Sequence, residues 1–123
     1  MAIESKVTQH SYTIFEKFMD YCPVNCVLMD DKGVIIFANK SFLNIFKISK
    51  KSIGMNLLDV LPIDFAKVCL RNNDLLMELK LPINSVEKGV LNDNKMHVFS
   101  ICKFPVNFDG VSMIGCWATE QTV

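Results

Sequence analysis

The sequence predicts an α+β domain: a five-stranded antiparallel sheet with helices on one face and an N-terminal amphipathic helix. Three observations carry that expectation. Apolar residues recur at helical spacing near the start. Two short β-branched runs then flank an Asp/Gly turn, and three more strand-like runs separated by turn residues close the chain. Between the two sets of strands lies a long stretch with helical periodicity.

The first helix spans Tyr12 to Tyr21, where Ile14, Phe15, Phe18 and Met19 fall on one side and Glu16, Lys17 and Asp20 on the other. Pro23 stops it, and a proline also pushes the preceding Cys22 toward extended backbone. Val24–Met29 and Val34–Ala38 read as strands joined by Asp30-Asp31-Lys32-Gly33, which has the chemistry of a tight hairpin turn. Both runs are apolar at adjacent positions, so both faces of these strands need cover.

Asn39 stands at a helix cap ahead of Phe42, Leu43, Ile45 and Phe46. Ser49 caps a further brief turn that ends at Gly54, and Leu57 to Leu61 make one more turn stopped by Pro62. A longer helical pattern starts at Asp64 and runs through Phe65, Val68, Cys69, Leu76 and Leu79. The period then changes, and Ser85–Leu91, Met96–Phe104 and Val111–Ala118 read as strands divided by Asn92-Asp93-Asn94 and Asn107-Phe108-Asp109-Gly110. In the resulting sheet the Val24–Met29 strand is expected to be central.

The bulk properties narrow the function. The chain has 123 residues, half of them hydrophobic, which suits one well-cored domain: a flexible start over residues 1–11 and a single domain over 12–121. Thirteen basic and thirteen acidic residues give no net charge and no basic field to attract phosphates, so nucleic-acid binding is not expected of this segment. Apolar runs such as Val34–Ala38 fall far short of the roughly 20 residues that span a bilayer, and no membrane contact is expected. The start, Met1 to Lys6, lacks an apolar secretory core, which points to the cytoplasm.

Candidate chemistry is sparse. Cys22, Cys26, Cys69, Cys102 and Cys116 form an odd set without a Cys-x-x-Cys pair, which suits buried thiols better than a zinc site or disulfide framework. Only His10 and His97 could act as imidazole bases, and His97 sits in a strand beside Val98 and Phe99. Asp30, Asp31, Asp59, Asp64, Asp93 and Asp109 fall at turns or caps, leaving few carboxylates to catalyse from a pocket. No catalytic residue or metal ligand emerges.

The stretch from Cys22 to Asn39 resembles the opening of a PAS domain: a Pro-apolar entry, an apolar strand ending in Asp30, a turn at Gly33, a second strand and then Asn39. The match continues through Phe42, Leu43 and Phe46, the segment Ser49 to Gly54, Asp59 with Pro62, and Phe104-Pro105, Asp109-Gly110 and Ala118-Thr119-Glu120 near the end. The resemblance implies a cytoplasmic signal-sensing or relay domain of a larger regulatory protein, such as a sensor histidine kinase, a diguanylate cyclase or a transcription regulator. It also implies an output domain following Glu120, and the apolar stripe of the first helix, Ile14, Phe15, Phe18 and Met19, needs a partner surface and so points to a homodimer. Haem-binding members use a histidine from the helices or a nearby loop, and Ser11 to Met96 contains none. Photoactive flavin members carry Gly-x-Asn-Cys-Arg-Phe-Leu-Gln, which is also missing. Haem and covalent flavin are therefore not expected, and any cofactor is unidentified.

What remains is a candidate pocket for a small apolar ligand between helices and sheet, lined by Met29, Phe37, Leu43, Phe46, Ile53, Leu58, Val68, Phe99, Ile101 and Met113. An ordinary core has the same composition. The alternatives to a ligand-binding sensor are a dimerisation module without ligand and a small cone-shaped α+β isomerase or dehydratase.

Overall fold

In the computed structural model, which describes residues 6–121, the chain forms helix α1 (Lys6–Asp20), strands β1 (Asn25–Asp30) and β2 (Ile35–Ala38), and helix α2 (Lys40–Phe46). A 3-10 turn (Lys50–Ser52), helix α3 (Leu57–Val60), helix α4 (Ile63–Leu79) and strands β3 (Ile83–Val90), β4 (Met96–Phe108) and β5 (Val111–Glu120) follow. α1 begins well before Tyr12, so residues 6–11 of the expected flexible start are helical; residues 1–5 lie outside the described part.

Local chemistry explains most of the boundaries. The Asp30 side chain accepts from the amides of Lys32 and Val34, both at 2.9 Å, and closes the β1–β2 turn. Gly33 there has φ of 91°, a conformation that favours glycine, and a Cβ on it would lie 2.6 Å from a Leu70 methyl, which would have to move aside. Asn39, Ser49 and Asn56 each cap the helical segment that follows with a side-chain oxygen. The Asn56 cap was not expected from sequence, because Leu57 to Pro62 read only as a turn.

The sheet is antiparallel throughout, in the order β2-β1-β5-β4-β3. β1 is thus an inner strand but not the central one, as the sequence led us to expect. The middle place belongs to β5, because the β3–β4–β5 meander ends against β1 across Asn25↔Ala118 to Asp30↔Met113. β4 also runs past Pro105 to Phe108 rather than stopping at Phe104. Its pairing with β3 ends at Lys103, so it has a free edge beyond that point, where a residue without an N–H is tolerated.

The two faces of the sheet are covered differently. Val27, Met29, Ile35, Phe99, Ile101 and Ile114 point toward α2, α3 and α4 and form one core with Phe42, Leu43, Phe46, Leu57, Phe65 and Leu76. Each such buried side chain contributes roughly 1.5–3 kcal/mol. The alternate residues Leu28, Phe37, Phe104 and Trp117 face outward, and α1 lies over part of that surface, with Phe15 5.1 Å from Phe37 between ring centroids.

Candidate functional site

Alternation along β1, β4 and β5 decides where the ten expected lining residues fall. Met29, Leu43, Phe46, Phe99 and Ile101 are buried in the core between sheet and helices, and Ile53 packs against it. Val68 is half-buried on α4. Leu58 is exposed on α3. Phe37 and Met113 pair with Leu28 and Asp30 and therefore face the other side of the sheet. The ten residues do not converge on one cavity: two are on the wrong face and one points to solvent, because a β2 register break and the β5 phase were not legible in the sequence.

The interior is filled by aromatic rings. Phe46 lies 5.4 Å from Phe65 and 5.9 Å from Phe99, and Phe65 meets Phe99 edge-on at 5.8 Å. Beside this ring cluster sits a charged group that the sequence reading did not single out. Lys103 is wholly buried and its Nζ donates to Glu87 Oε2 at 2.9 Å, Asn73 Oδ1 at 2.8 Å and the Cys69 carbonyl at 2.8 Å. Asn72 donates to the same Glu87 oxygen at 2.8 Å, and Asn73 donates to Met29 Sδ at 3.0 Å.

This cluster joins α4 to β3 and β4. Burial works against a charge on Lys103, but its surroundings, with the Glu87 carboxylate bonded to Nζ, hold its pKa above the ordinary lysine value, so it stays an ammonium. Burial raises the Cys69 thiol to about 11 and pushes Cys116 up as well. Both are protonated, unreactive thiols at neutral pH. The one signal in the sequence was parity: Lys103 follows Phe99 and Ile101 at a spacing of two, on the core-facing side of β4.

The outer face is more open. Phe15, Met19, Cys26, Leu28, Phe37, Phe104, Val106 and Trp117 line an apolar cavity of about 290 Å³ between α1 and the sheet. Gly115 is part of its floor because the Phe104 ring lies where a side chain would be: an added Cβ would stand 2.3 Å from that ring. Phe104 in turn meets Trp117 edge-on at 5.6 Å. The apolar stripe of α1 is split by this arrangement. Phe15 and Met19 turn to their own sheet, whereas Ile14 and Phe18, at 68% and 73% exposed, do not.

His97 is not a plain sheet residue either. Asp93 and Glu120 meet its two ring nitrogens. Among the described residues no group of acids, cysteines and histidines is arranged to hold a metal, and no helix is long and apolar enough to cross a membrane.

Comparison with known proteins agrees with this geometry. The PAS domain family model matches residues 13–78, more than half of the chain, and the chain belongs to that family. No curated protein sequence matches it. Among solved structures, the PAS domain of a two-component sensor histidine kinase superposes with a TM-score of 0.74 at 10% identity, covering 93% of this chain and 99% of that one. The PAS domain of Bordetella pertussis BvgS gives 0.74 at 12% identity, covering 93% and 88%. Vibrio cholerae VqmA, described as a dimer and in the context of LuxR-type receptors, gives 0.75 at 13% identity over 93% of this chain. The chain spans about half of the VqmA chain. At these identities the likeness is one of fold.

Proposed function

We propose that residues 12–121 are one signal-relay PAS domain of a larger cytoplasmic regulatory protein, and that it works as a homodimer joined through α1 and the outer face of the sheet. The observation that carries this is the split stripe of α1. Ile14 and Phe18 are left in solvent, while Phe15 and Met19 already cover their own sheet beside Trp117, itself 53% exposed. Large apolar groups clustered at one place on a surface mark an interaction site. Burying a Phe or Met side chain contributes roughly 1.5–3 kcal/mol, and two such helices plus two Trp117 rings meet the association cost of about 4–15 kcal/mol.

Relay through the outer face stands ahead of capture of a small apolar ligand because Phe46, Phe65 and Phe99 fill the interior and the Lys103–Glu87 pair adjoins them. The ligand-binding reading rests on Met29, Leu43, Phe46, Ile53, Val68, Phe99 and Ile101, and occupancy would require these side chains to repack. The balanced charge favours protein rather than nucleic-acid partners for this segment. An output domain beyond Glu120 would receive the signal.

Sedimentation of the wild type and of Phe18→Glu tests the proposal. Phe18 is the better probe than Phe15, whose ring also packs within the subunit. The wild type should be dimeric at micromolar concentration and the variant monomeric with unchanged thermal stability. A wild-type monomer, or a Phe18→Glu dimer of undiminished affinity, would refute it. Native mass spectrometry of the same preparation addresses the ligand: a retained small molecule would return the interior reading to first place.

A further inference from the structure

His97 stands near the start of β4, facing the end of β5 and the β3–β4 hairpin. Its side chain is only 10% exposed, and its ring stacks at 10° to the Phe99 ring with centroids 6.2 Å apart. Nδ1 lies 2.6 Å from Glu120 Oε2, and Nε2 lies 2.8 Å from Asp93 Oδ2. A neutral imidazole has one N–H and one lone pair, so it can donate to only one of two carboxylates. Only the imidazolium donates to both.

The two carboxylates are not held alike. Asp93 also accepts from the Lys95 amide at 3.0 Å through its other oxygen and feels the positive charge of Lys47 at the end of α2. Glu120 is the terminal residue of β5, and His97 is the partner of its carboxylate. Just beyond it, the Gln121 amide donates to the Val98 carbonyl at 2.8 Å, and the Gln121 side chain donates to Ser100 Oγ at 2.6 Å. β3 presents Gly89 opposite His97, and the acid on the same face of that strand, Glu87, lies opposite Phe99 and is paired with Lys103.

We propose that His97, Asp93 and Glu120 form a proton-operated catch: charged His97 fastens the end of β5 to the β3–β4 hairpin, and neutral His97 keeps Asp93 and releases Glu120. The neutral ring keeps its proton on Nε2, because Asp93 is already fixed by the Lys95 amide. Its Nδ1 lone pair then faces the Glu120 carboxylate and repels it. Burial pulls the His97 pKa down, but the hydrogen bonds and charges of Asp93 and Glu120 outweigh burial and raise it above 6.5. The catch is therefore fully closed below pH 6.5 and opens as pH rises through the higher folded value. Its use in signalling rests on the relay reading, because the strand end that it frees leads toward the output side; the catch itself does not depend on that reading.

Amide exchange of Glu120 and Gln121, followed together with the His97 ring resonances across the titration, tests the catch. Once the intrinsic pH dependence of exchange is removed, protection of the Gln121 amide should fall several-fold as His97 loses its proton. Glu120→Gln supplies an amide that donates to the neutral Nδ1, so the step should vanish while protection persists at high pH. A step of the same size in Glu120→Gln, or an His97 that titrates at or below 6.5 without any step, would overturn the proposal. Sedimentation across the same titration keeps the two readings apart: a dimer with no exchange step sinks the catch alone, and a step in a monomer sinks the relay.

Discussion

Asn39 shows how much of this fold rests on single polar side chains. Its Oδ1 accepts from the amides of Cys26 and Phe42, and its Nδ2 donates to the carbonyls of Met19 and Val24 at 2.9 and 2.8 Å. One buried amide with its full bonding capacity used thereby ties the end of α1 to β1 and caps α2. Asn39→Ala should cost on the order of 3–5 kcal/mol in urea unfolding, since it removes a cap and strands buried groups of the main chain. Lys103→Met, which leaves Glu87 as an uncompensated charge, should cost about 3–5 kcal/mol, and Glu87→Leu added to it should recover most of the loss. If the double variant is no better than the single, the pair is not the source of the cost. The cap at Asn39 was legible because a capping residue precedes an apolar helical run; the charged cluster was not. Nothing local distinguishes Glu87 from a solvated strand residue, and its partner lies sixteen positions away in the chain.

At the scale of the elements, the sequence announced the five strands and helices α1, α2 and α4 but read α3 only as a turn, and its other errors lay in element bounds and in neighbours. Which strand sits in the middle depends on the pairing of β5 with β1, a contact between the chain's two halves that no window of residues contains. Met113 was assigned to the wrong face for the same reason, and Phe37 because of the register break in the β1–β2 pair. Hydrogen exchange should reflect the observed order: slow amides in β1 and β5, which are paired on both sides, and faster ones in the edge strands β2 and β3. Rapid exchange throughout Asn25–Asp30 would refute the topology. The stacking of Phe104 over Gly115 makes a second expectation. Gly115→Ala should displace that ring, cost roughly 1–3 kcal/mol as overpacking, and alter the near-ultraviolet dichroism of Trp117 while leaving the core helices in place.

At the scale of the molecule, one sheet separates two surfaces of different character. The helix-covered side is closed by rings and a buried ion pair, and its state depends on the cooperative fold. The outer side carries α1, an apolar cavity and exposed Ile14, Phe18 and Trp117. Burial holds Cys26 near 12 and Cys69 near 11. Cys26, Cys69 and Cys116 should therefore resist thiol reagents in the folded protein and all become reactive in denaturant, a count that mass spectrometry of the labelled chain reads directly. Labelling of Cys69 in the native state would mean that the interior opens locally.

The pairing of Asn25 with Ala118 has a geometric consequence. The first strand leaves α1 at the same margin of the sheet where the last strand departs, one interstrand spacing of about 4.8 Å away. Such a module has its door and its exit side by side. It can be threaded between two lengths of polypeptide with little change in the path of either, as a bead on a cord, and in the relay proposed above a small turn of the incoming segment would reach the outgoing one across a single ladder of hydrogen bonds.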